Sequence, residues 1–433
     1  MKKIVGALII LLVSGAFLPE KSGGITEIIE EDKEFLLEFY KERHANPEIS
    51  LREEKTAAIL ASEIQKIGFE VSENVGGYGI VGIYKNGSGP QILYRTDMDA
   101  LPMPEKTGLD YKSNKTTEYN GSIVGMMHSC GHDMHMTSWL GTARAMVKMK
   151  DQWKGTLMMI GQPAEEIGMG SKMMLEAGLY EKFGVPDYGI GLHCSPTLET
   201  GKIGIADGYT MANTESIDIK VFGVGSHGAM PHMSIDPVVT ASMIVMELQT
   251  IVSRNLDPIE NAVVTVGAIK GGTKHNIIPD EVTLQLTVRT FKEEVRQLVH
   301  KRIKEISRGV AIAAGLPEDK MPEVIIPEVY TPSNYNDSEL VEKIKSSAAS
   351  VIGQENVVYV EPQMVGEDFS RYGQTRHQVP TTLFWLGTVT PAKIKSGNLP
   401  GLHSPYYYPD DPENTIKTGV SVMTRTLTDL FND

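Results

Sequence analysis

The sequence predicts an α/β protein into which a second, α+β unit is inserted, and three observations carry that expectation. Through the first half of the chain, short apolar strand-like runs alternate with stretches of helical periodicity. From about residue 208 the order changes to β-α-β-β-α-β, which is the ferredoxin-like plan. Beyond that stretch the helix and strand signals of the first kind resume, so the first unit is interrupted and then completed.

In chain order, Ile28, Phe35, Leu36, Phe39 and Tyr40 recur at helical spacing between Glu27 and Arg43, with Pro47 soon after. Ser50 followed by Glu53 three residues later reads as a capping box for a second helix, which Gly68 closes. Strands are expected at Ile80 to Tyr84 and Ile92 to Tyr94 around an Asn86-Gly87 turn. Leu157 to Ile160 and Tyr188 to Leu192 read as buried strands, with helices around Trp139 to Met149 and Ser171 to Ala177. The inserted unit begins with the alternation Ile217 to Val221. It continues with a helix near Pro237 to Arg254, strands at Val263 to Val266 and Val282 to Val288, a helix from Glu293 to Ala314 and a last strand at Val324 to Ile326. Ser338 to Ile352 and Glu413 to Leu430 then read as helices and Thr381 to Leu386 as a strand. There is no internal repeat and no low-complexity segment.

Composition narrows the partners. A chain of 433 residues, 41% hydrophobic and 22% charged, suffices for two domains. A formal net charge of -14 argues against non-specific nucleic-acid binding, where a basic face would supply most of the affinity, so small molecules are the expected partners. Met1-Lys2-Lys3 followed by the apolar run Ile4 to Leu18 has the form of a signal peptide over residues 1–18, and the run is shorter than the usual membrane span. Export to the periplasm or medium is the expectation, with an uncleaved anchor as the alternative and only membrane contact. Two cysteines, Cys130 and Cys194, could form one disulfide but no disulfide framework, and each lies in a cluster of metal-binding residue types.

Those clusters carry the chemistry. Asp97 and Asp99, Glu165 and Glu166, and His193 come just after the carboxyl ends of predicted strands, the edge where open α/β sheets bind ligands. Met127-His128-Ser129-Cys130-Gly131-His132-Asp133-Met134-His135 sets a thiolate and an imidazole two residues apart, which suits zinc, while the carboxylates elsewhere also admit manganese or cobalt. Its bland alternative is a satisfied buried cluster, although such residues are costly to bury unpaired. In Gln162-Pro163-Ala164-Glu165-Glu166 one carboxylate can bind metal while its neighbour handles a proton; taken alone, the pair could be a solvated turn. His193 and His403 are single histidines, but with Cys130, His132 and Glu166 they make five ligands, a suitable number for two ions sharing a bridging water.

Seven segments in order resemble the metallo-aminoacylase and carboxypeptidase superfamily, in the branch of hippurate hydrolases, indole-acetyl-amino-acid hydrolases and N-acyl-amino-acid amidohydrolases. They are Arg95-Thr96-Asp97-Met98-Asp99-Ala100-Leu101-Pro102-Met103, the Cys-Gly-His-Asp segment, Gln162 to Glu166, Gly225-Ser226-His227-Gly228-Ala229-Met230-Pro231-His232, Asn276-Ile277-Ile278-Pro279-Asp280, Gly366-Glu367-Asp368-Phe369 and Leu402-His403-Ser404-Pro405. The resemblance runs from about Glu31 to Asp429. It implies a metallopeptidase-like catalytic domain, a mixed sheet flanked by helices, in two parts (25–207 and 325–433), with an inserted ferredoxin-like dimerisation domain at 208–324. It implies two divalent metal ions, manganese or zinc or else cobalt, on Cys130, His132, Glu166, His193 and His403, with Glu165 as general base. His227, Asn276 and Arg289 would reach the substrate's oxyanion or carboxylate, His227 from a partner subunit of a homodimer. Asp99 is expected either to orient a ligand histidine or to pair with Arg95. Ser226 stands where glycine is common, and Cys194 where an apolar residue is usual.

The expected activity is hydrolysis of the amide bond of N-acyl amino acids or related small peptides. The alternatives are a dipeptidase or carboxypeptidase of the same fold, and a catalytically silent metal-binding receptor, which would have little reason to retain Glu165.

Overall fold

A computed structural model describes residues 23–433, so the expected signal segment lies outside the described residues. The first unit contains helices α1 (Gly23–Ala45) and α2 (Glu54–Lys66), strands β1 (Glu70–Ser72), β2 (Ile80–Asn86) and β3 (Gln91–Asp97), helix α3 (His132–Lys148), strand β4 (Gly155–Gln162), helix α4 (Gly170–Glu176), and strands β5 (Tyr188–Glu199) and β6 (Ile203–Gly204). The inserted unit supplies β7 (Glu215–Phe222), α5 (Pro237–Thr250), β8 (Ala262–Gly271), β9 (Glu281–Thr290), α6 (Glu293–Ala313) and β10 (Glu323–Ile325). The first unit is then completed by α7 (Ser338–Ile352), β11 (Val357–Val358), β12 (Thr381–Val389) and α8 (Pro412–Asn432).

Eight strands form one mixed sheet in the order β1-β2-β4-β3-β5-β12-β6-β11. Its centre, β4-β3-β5-β12, is parallel. Side chains alternate across it, so Ile92, Tyr94, Leu157 and Met159 enter one apolar core and Leu93, Met158 and Ile160 enter the other. Both faces are covered, which explains why these strands read as continuous apolar runs rather than as alternation. Helix α3 is buried along almost its whole length between the sheet and its neighbours α1 and α8. Its Trp139 is fully buried and satisfies its indole N–H on the Tyr94 carbonyl at 3.2 Å.

Two local expectations are corrected. The Asn86-Gly87 turn does not join a hairpin: β4 lies between β2 and β3, antiparallel to the first and parallel to the second. The Asn86 carboxamide donates instead to the carbonyls of Lys150 and Trp153, at 2.6 and 2.7 Å, tying the turn to the segment leading into β4. The capping box is also absent. The Ser50 hydroxyl donates to Asp99 at 2.6 Å, and Glu53 accepts the backbone N–H groups of Leu51 and Ala164. Glu48 takes over the cap of α2 by accepting Thr56 N–H at 2.8 Å. Both residues are thus drawn from helix capping into the support of the functional site.

The inserted unit is a four-stranded antiparallel sheet in the order β8-β9-β7-β10. Its own core joins Ile217, Ile219 and Val221 to Ile244 and Leu248 of α5 and Val299 and Ile303 of α6. The helix expected to reach Arg254 ends at Thr250 and continues as a π-helical turn, Ile251–Asn255. Glu215, at the start of β7, is buried and paired with Arg296 at 2.8 Å and His300 at 2.5 Å. Among the described residues no helix is long and apolar enough to cross a membrane.

Candidate metal centre

The site assembles at the carboxyl ends of the central strands. Asp97 is the last residue of β3, Glu165 and Glu166 follow β4 by a short turn, and His193 lies inside β5, which runs further than its apolar stretch suggests. Cys130 and His132 flank the start of α3, where Gly131 adopts φ +85°. A Cβ on Gly131 would come within 2.9 Å of the Cys194 Cβ, so both conformation and space call for glycine. His403 arrives from a loop near the other end of the chain, held by its backbone N–H donating to the Ser129 carbonyl at 2.9 Å.

Sequence-distant ligand atoms converge here. Ligand atoms of Cys130, His132 and His193 lie within 4.8 Å of one another, as do those of Cys130, Glu166 and His403, and of His132, Glu165 and Glu166. Cys130, His132 and Glu166 each belong to two of these triads, so the ligand atoms form one continuous cluster. The Cys130 Sγ is 3.6 Å from His193 Nε2, and His403 Nε2 is 3.2 Å from Glu166 Oε2. His193 Nδ1 donates to the Cys194 carbonyl and His132 Nδ1 to the Asp99 carbonyl, which aims each Nε2 lone pair at the cluster. His132 Nε2 and Glu166 Oε1 are buried without a hydrogen-bond partner. Orphaned polar atoms are costly, and a cation would satisfy both, so the residues present fit divalent metal ions.

The electrostatics agree with that fit. Burial opposes charge on His132, yet Asp97, Asp99 and Glu166 hold its pKa up at about 10. The pocket therefore demands positive charge there, from a proton or a metal. His193 goes the other way, pushed well below the usual imidazole value by burial and then by His135, so its lone pair stays available. Burial, followed by the repulsion of Glu367 and Glu166, lifts the Glu165 carboxyl well above the carboxylate range, which makes it a stronger proton acceptor than an exposed acid.

Asp99 does not pair with Arg95. Its Oδ1 and Oδ2 accept the backbone N–H groups of Glu165 and Glu166 at 3.1 and 3.0 Å, and Oδ1 is 3.5 Å from His132 Nδ1. It therefore holds the two-carboxylate turn and the ligand histidine in one arrangement. Arg95 instead pairs with Asp97 at 2.7 Å, Glu367 at 2.8 Å and Asp368 at 3.4 Å. These carboxylates had no assigned role. Asp97 Oδ2 lies 3.6 Å from His132 Nε2, and Glu367 and Asp368 share a cluster with Glu165. The readable signal was an arginine and an aspartate inside an otherwise buried strand, since buried ions must be paired. His135 is excluded as an open ligand because both ring nitrogens are engaged, Nδ1 with Asp97 at 2.7 Å and Nε2 accepting Cys194 N–H at 2.8 Å. Cys130 and Cys194 are both free thiols.

A cavity of about 380 Å³ opens on this cluster. Cys130, Glu165, Glu166, His193 and His403 line it together with Thr214, Ser216 and Arg289 of the inserted unit. Arg289 Nη1 is buried without a partner. His227 and Asn276 are not brought there within one chain. They lie on an exposed two-stranded ribbon, with Gly228 N–H donating to the Asn276 carbonyl at 2.8 Å.

A mixed sheet with acids, imidazoles and a thiol converging at its strand ends defines a metal-dependent hydrolase of amide bonds. Residues 93–429 match the model of peptidase family M20/M25/M40, and the chain belongs to that family. It is 38% identical over 347 residues to hippurate hydrolase of Campylobacter jejuni, covering 80% of this chain and 86% of that one. It is 34% identical over 346 residues to N-acetyl-L-cysteine deacetylase of Bacillus subtilis, covering 80% and 78%. Among solved structures, the Bacillus subtilis YXEP protein, described as a dinuclear metal-binding peptidase of the M20 family, superposes with a TM-score of 0.76 at 28% identity, covering 93% of this chain and 99% of that one.

Proposed function

We propose that this protein cleaves the amide bond of N-acyl amino acids, with Glu165 moving the proton. The observation that carries this reading is the placement of Glu165 beside the Cys130, His132, Glu166, His193 and His403 cluster, at a cavity also lined by the unpartnered Arg289. Divalent metal ions bound there would polarise the scissile carbonyl and acidify the attacking water. Glu165 accepts the proton of that water and delivers it to the leaving nitrogen. Arg289 receives the carboxylate of the amino-acid half, for which a guanidinium supplies a two-point, charge-assisted match. The mixture of thiolate, imidazole and carboxylate donors favours manganese or zinc. A hydrolysis screen of N-acetyl amino acids, N-benzoyl amino acids and dipeptides with manganese, zinc and cobalt tests the reading. Cleavage of dipeptides alone would replace it with a dipeptidase, and no turnover with any metal would replace it with a receptor.

The protein acts as a homodimer through the inserted unit in this reading. Val239, Met243 and Met246 lie on one side of α5 at helical spacing and are exposed, Met246 to 71%. A partner docked there would bring its own His227 toward the cluster that a single chain leaves without it. Met246→Glu should then give a monomer in sedimentation, and His227→Ala should lower kcat by about 10²-fold as loss of an oxyanion donor. A fully active monomer would remove the cross-subunit role. The charged and apolar pattern of residues 1–18 supports export in this reading; fractionation of cells expressing the full chain tests it.

A further inference from the structure

A second and larger cavity, of about 650 Å³, shares Tyr330 with the metal cavity but contains none of the metal-site residues. It lies where the chain enters and leaves the inserted unit. The entering strand Gly208–Met211 pairs with the returning strand Asn334–Asn336, and Tyr209 and Tyr335 of this pair line the cavity. Phe291 and Glu293 reach it from the inserted unit, and Asp337 and Ser370 from the catalytic unit.

The chemistry of the wall is specific. The Tyr209 ring centre is 5.1 Å from that of Tyr335, edge to face, and 6.1 Å from that of Phe291, so three aromatic rings cluster at one side. The fourth ring, Tyr330, already carries the Arg296 guanidinium 3.8 Å from its centre. Two carboxylates line the cavity and no lysine, arginine or histidine does. Glu293 is held in place by Arg296 at 2.9 Å and Gln297 at 2.6 Å, and Asp337 caps α7 through one oxygen, accepting Leu340 N–H. The Ser370 hydroxyl in the wall is buried and has no hydrogen-bond partner. Clustered aromatic rings, the Asp337 carboxylate without a lining base and a spare hydroxyl select a cation with an apolar surface, while Glu293 is already ion-paired with Arg296. An anion would find no charge partner there, and a bare metal ion would find too few oxygen ligands fixed around one point.

We propose that this cavity is a binding site for a small organic ammonium, seated on Tyr209 and Tyr335 with Asp337 as counter-charge. The site is separate from the hydrolytic reading and does not depend on it. The test uses titration calorimetry on the full, metal-loaded chain, with choline as probe and 3,3-dimethylbutan-1-ol as its uncharged isostere. Choline should bind, the alcohol at least about 5-fold more weakly, and Tyr335→Leu should weaken choline by about 3-fold to 30-fold while Tyr335→Phe, which keeps the ring, binds as wild type. Circular dichroism and metal content of each variant report whether it is folded. Equal binding of probe and isostere, no binding of choline, or undiminished binding by a folded Tyr335→Leu protein would each overturn the proposal.

Discussion

His403 Nε2 lies 3.2 Å from Glu166 Oε2, although the two residues come from loops on either side of the inserted unit. His403 takes a positive φ of 62° to get there, a conformation a non-glycine residue adopts at some cost. The hydrogen bond from its backbone to Ser129, next to Cys130, offsets that cost and ties the late loop to the Cys-Gly-His segment. Closing the cluster thus depends on contacts far apart in sequence.

The neighbours Glu165 and Glu166 should separate in function. Glu166 touches the cluster on both sides, through His403 and through its orphaned Oε1 near His132, so Glu166→Ala should lower metal content and activity together. Glu165→Gln keeps the shape but cannot accept a proton, so metal content should stay near wild type while kcat falls by about 10²-fold to 10⁴-fold. Metal analysis and turnover on both variants decide it. Loss of metal from Glu165→Gln would make that residue a ligand.

Gly131 should tolerate no side chain. Alanine there would face the Cys194 side chain at 2.9 Å in a left-handed backbone conformation, so Gly131→Ala should cost about 2 to 4 kcal/mol of stability and displace Cys130 and His132. Chemical denaturation with metal titration measures both effects; a variant of wild-type stability and affinity would contradict the argument.

Arg289 should recognise a carboxylate. Its Nη1 is buried and unpartnered in the cavity wall, so Arg289→Ala should reduce kcat/KM for N-acyl amino acids by about 10-fold to 100-fold. The same substitution should matter much less for the matching N-acyl amino-acid amides. An equal loss on both substrates would mean that Arg289 acts on structure alone.

Stability should carry the imprint of His44. Burial disfavours its charge, but Asp133 at 2.7 Å and Glu105 at 3.0 Å override this and raise its pKa to about 9. A histidine raised in the folded state binds its proton more tightly than the unfolded chain does. The resulting stabilisation, on the order of a few kcal/mol, is complete below the unfolded value near 6.5 and is lost as pH rises through about 9. Denaturant midpoints should therefore fall between about pH 6.5 and 9 in the wild type, and the fall should shrink in His44→Gln. A pH profile unchanged by the substitution would place the dependence elsewhere.

Periodicity alone places α7 at Ser338–Ile352 and the β-α-β-β-α-β succession of the inserted unit along the chain, because helix and strand periods are local properties. The residue types in Cys130 to His132 and Glu165 to Glu166 likewise announce metal chemistry, since thiolate, imidazole and carboxylate are costly to bury without it. Tertiary structure decided the rest. Strand β4 slips between β2 and β3 because a buried parallel strand needs a partner on each side, which no local turn signal encodes. Ser50 and Glu53 leave the helix cap to brace Asp99 and Ala164, since a hydroxyl and a carboxylate satisfy whichever donor or acceptor the folded chain brings within reach. Arg95 chooses Asp97, Glu367 and Asp368 over Asp99 because β3 ends at Asp97, leaving Asp99 beyond the strand to accept from Ser50, Glu165 and Glu166, and because the Gly366 to Phe369 segment arrives from the far end of the chain. A sequence determines which groups can do chemistry; which of them meet is set by long-range packing, where burial forces every charge to find its partner.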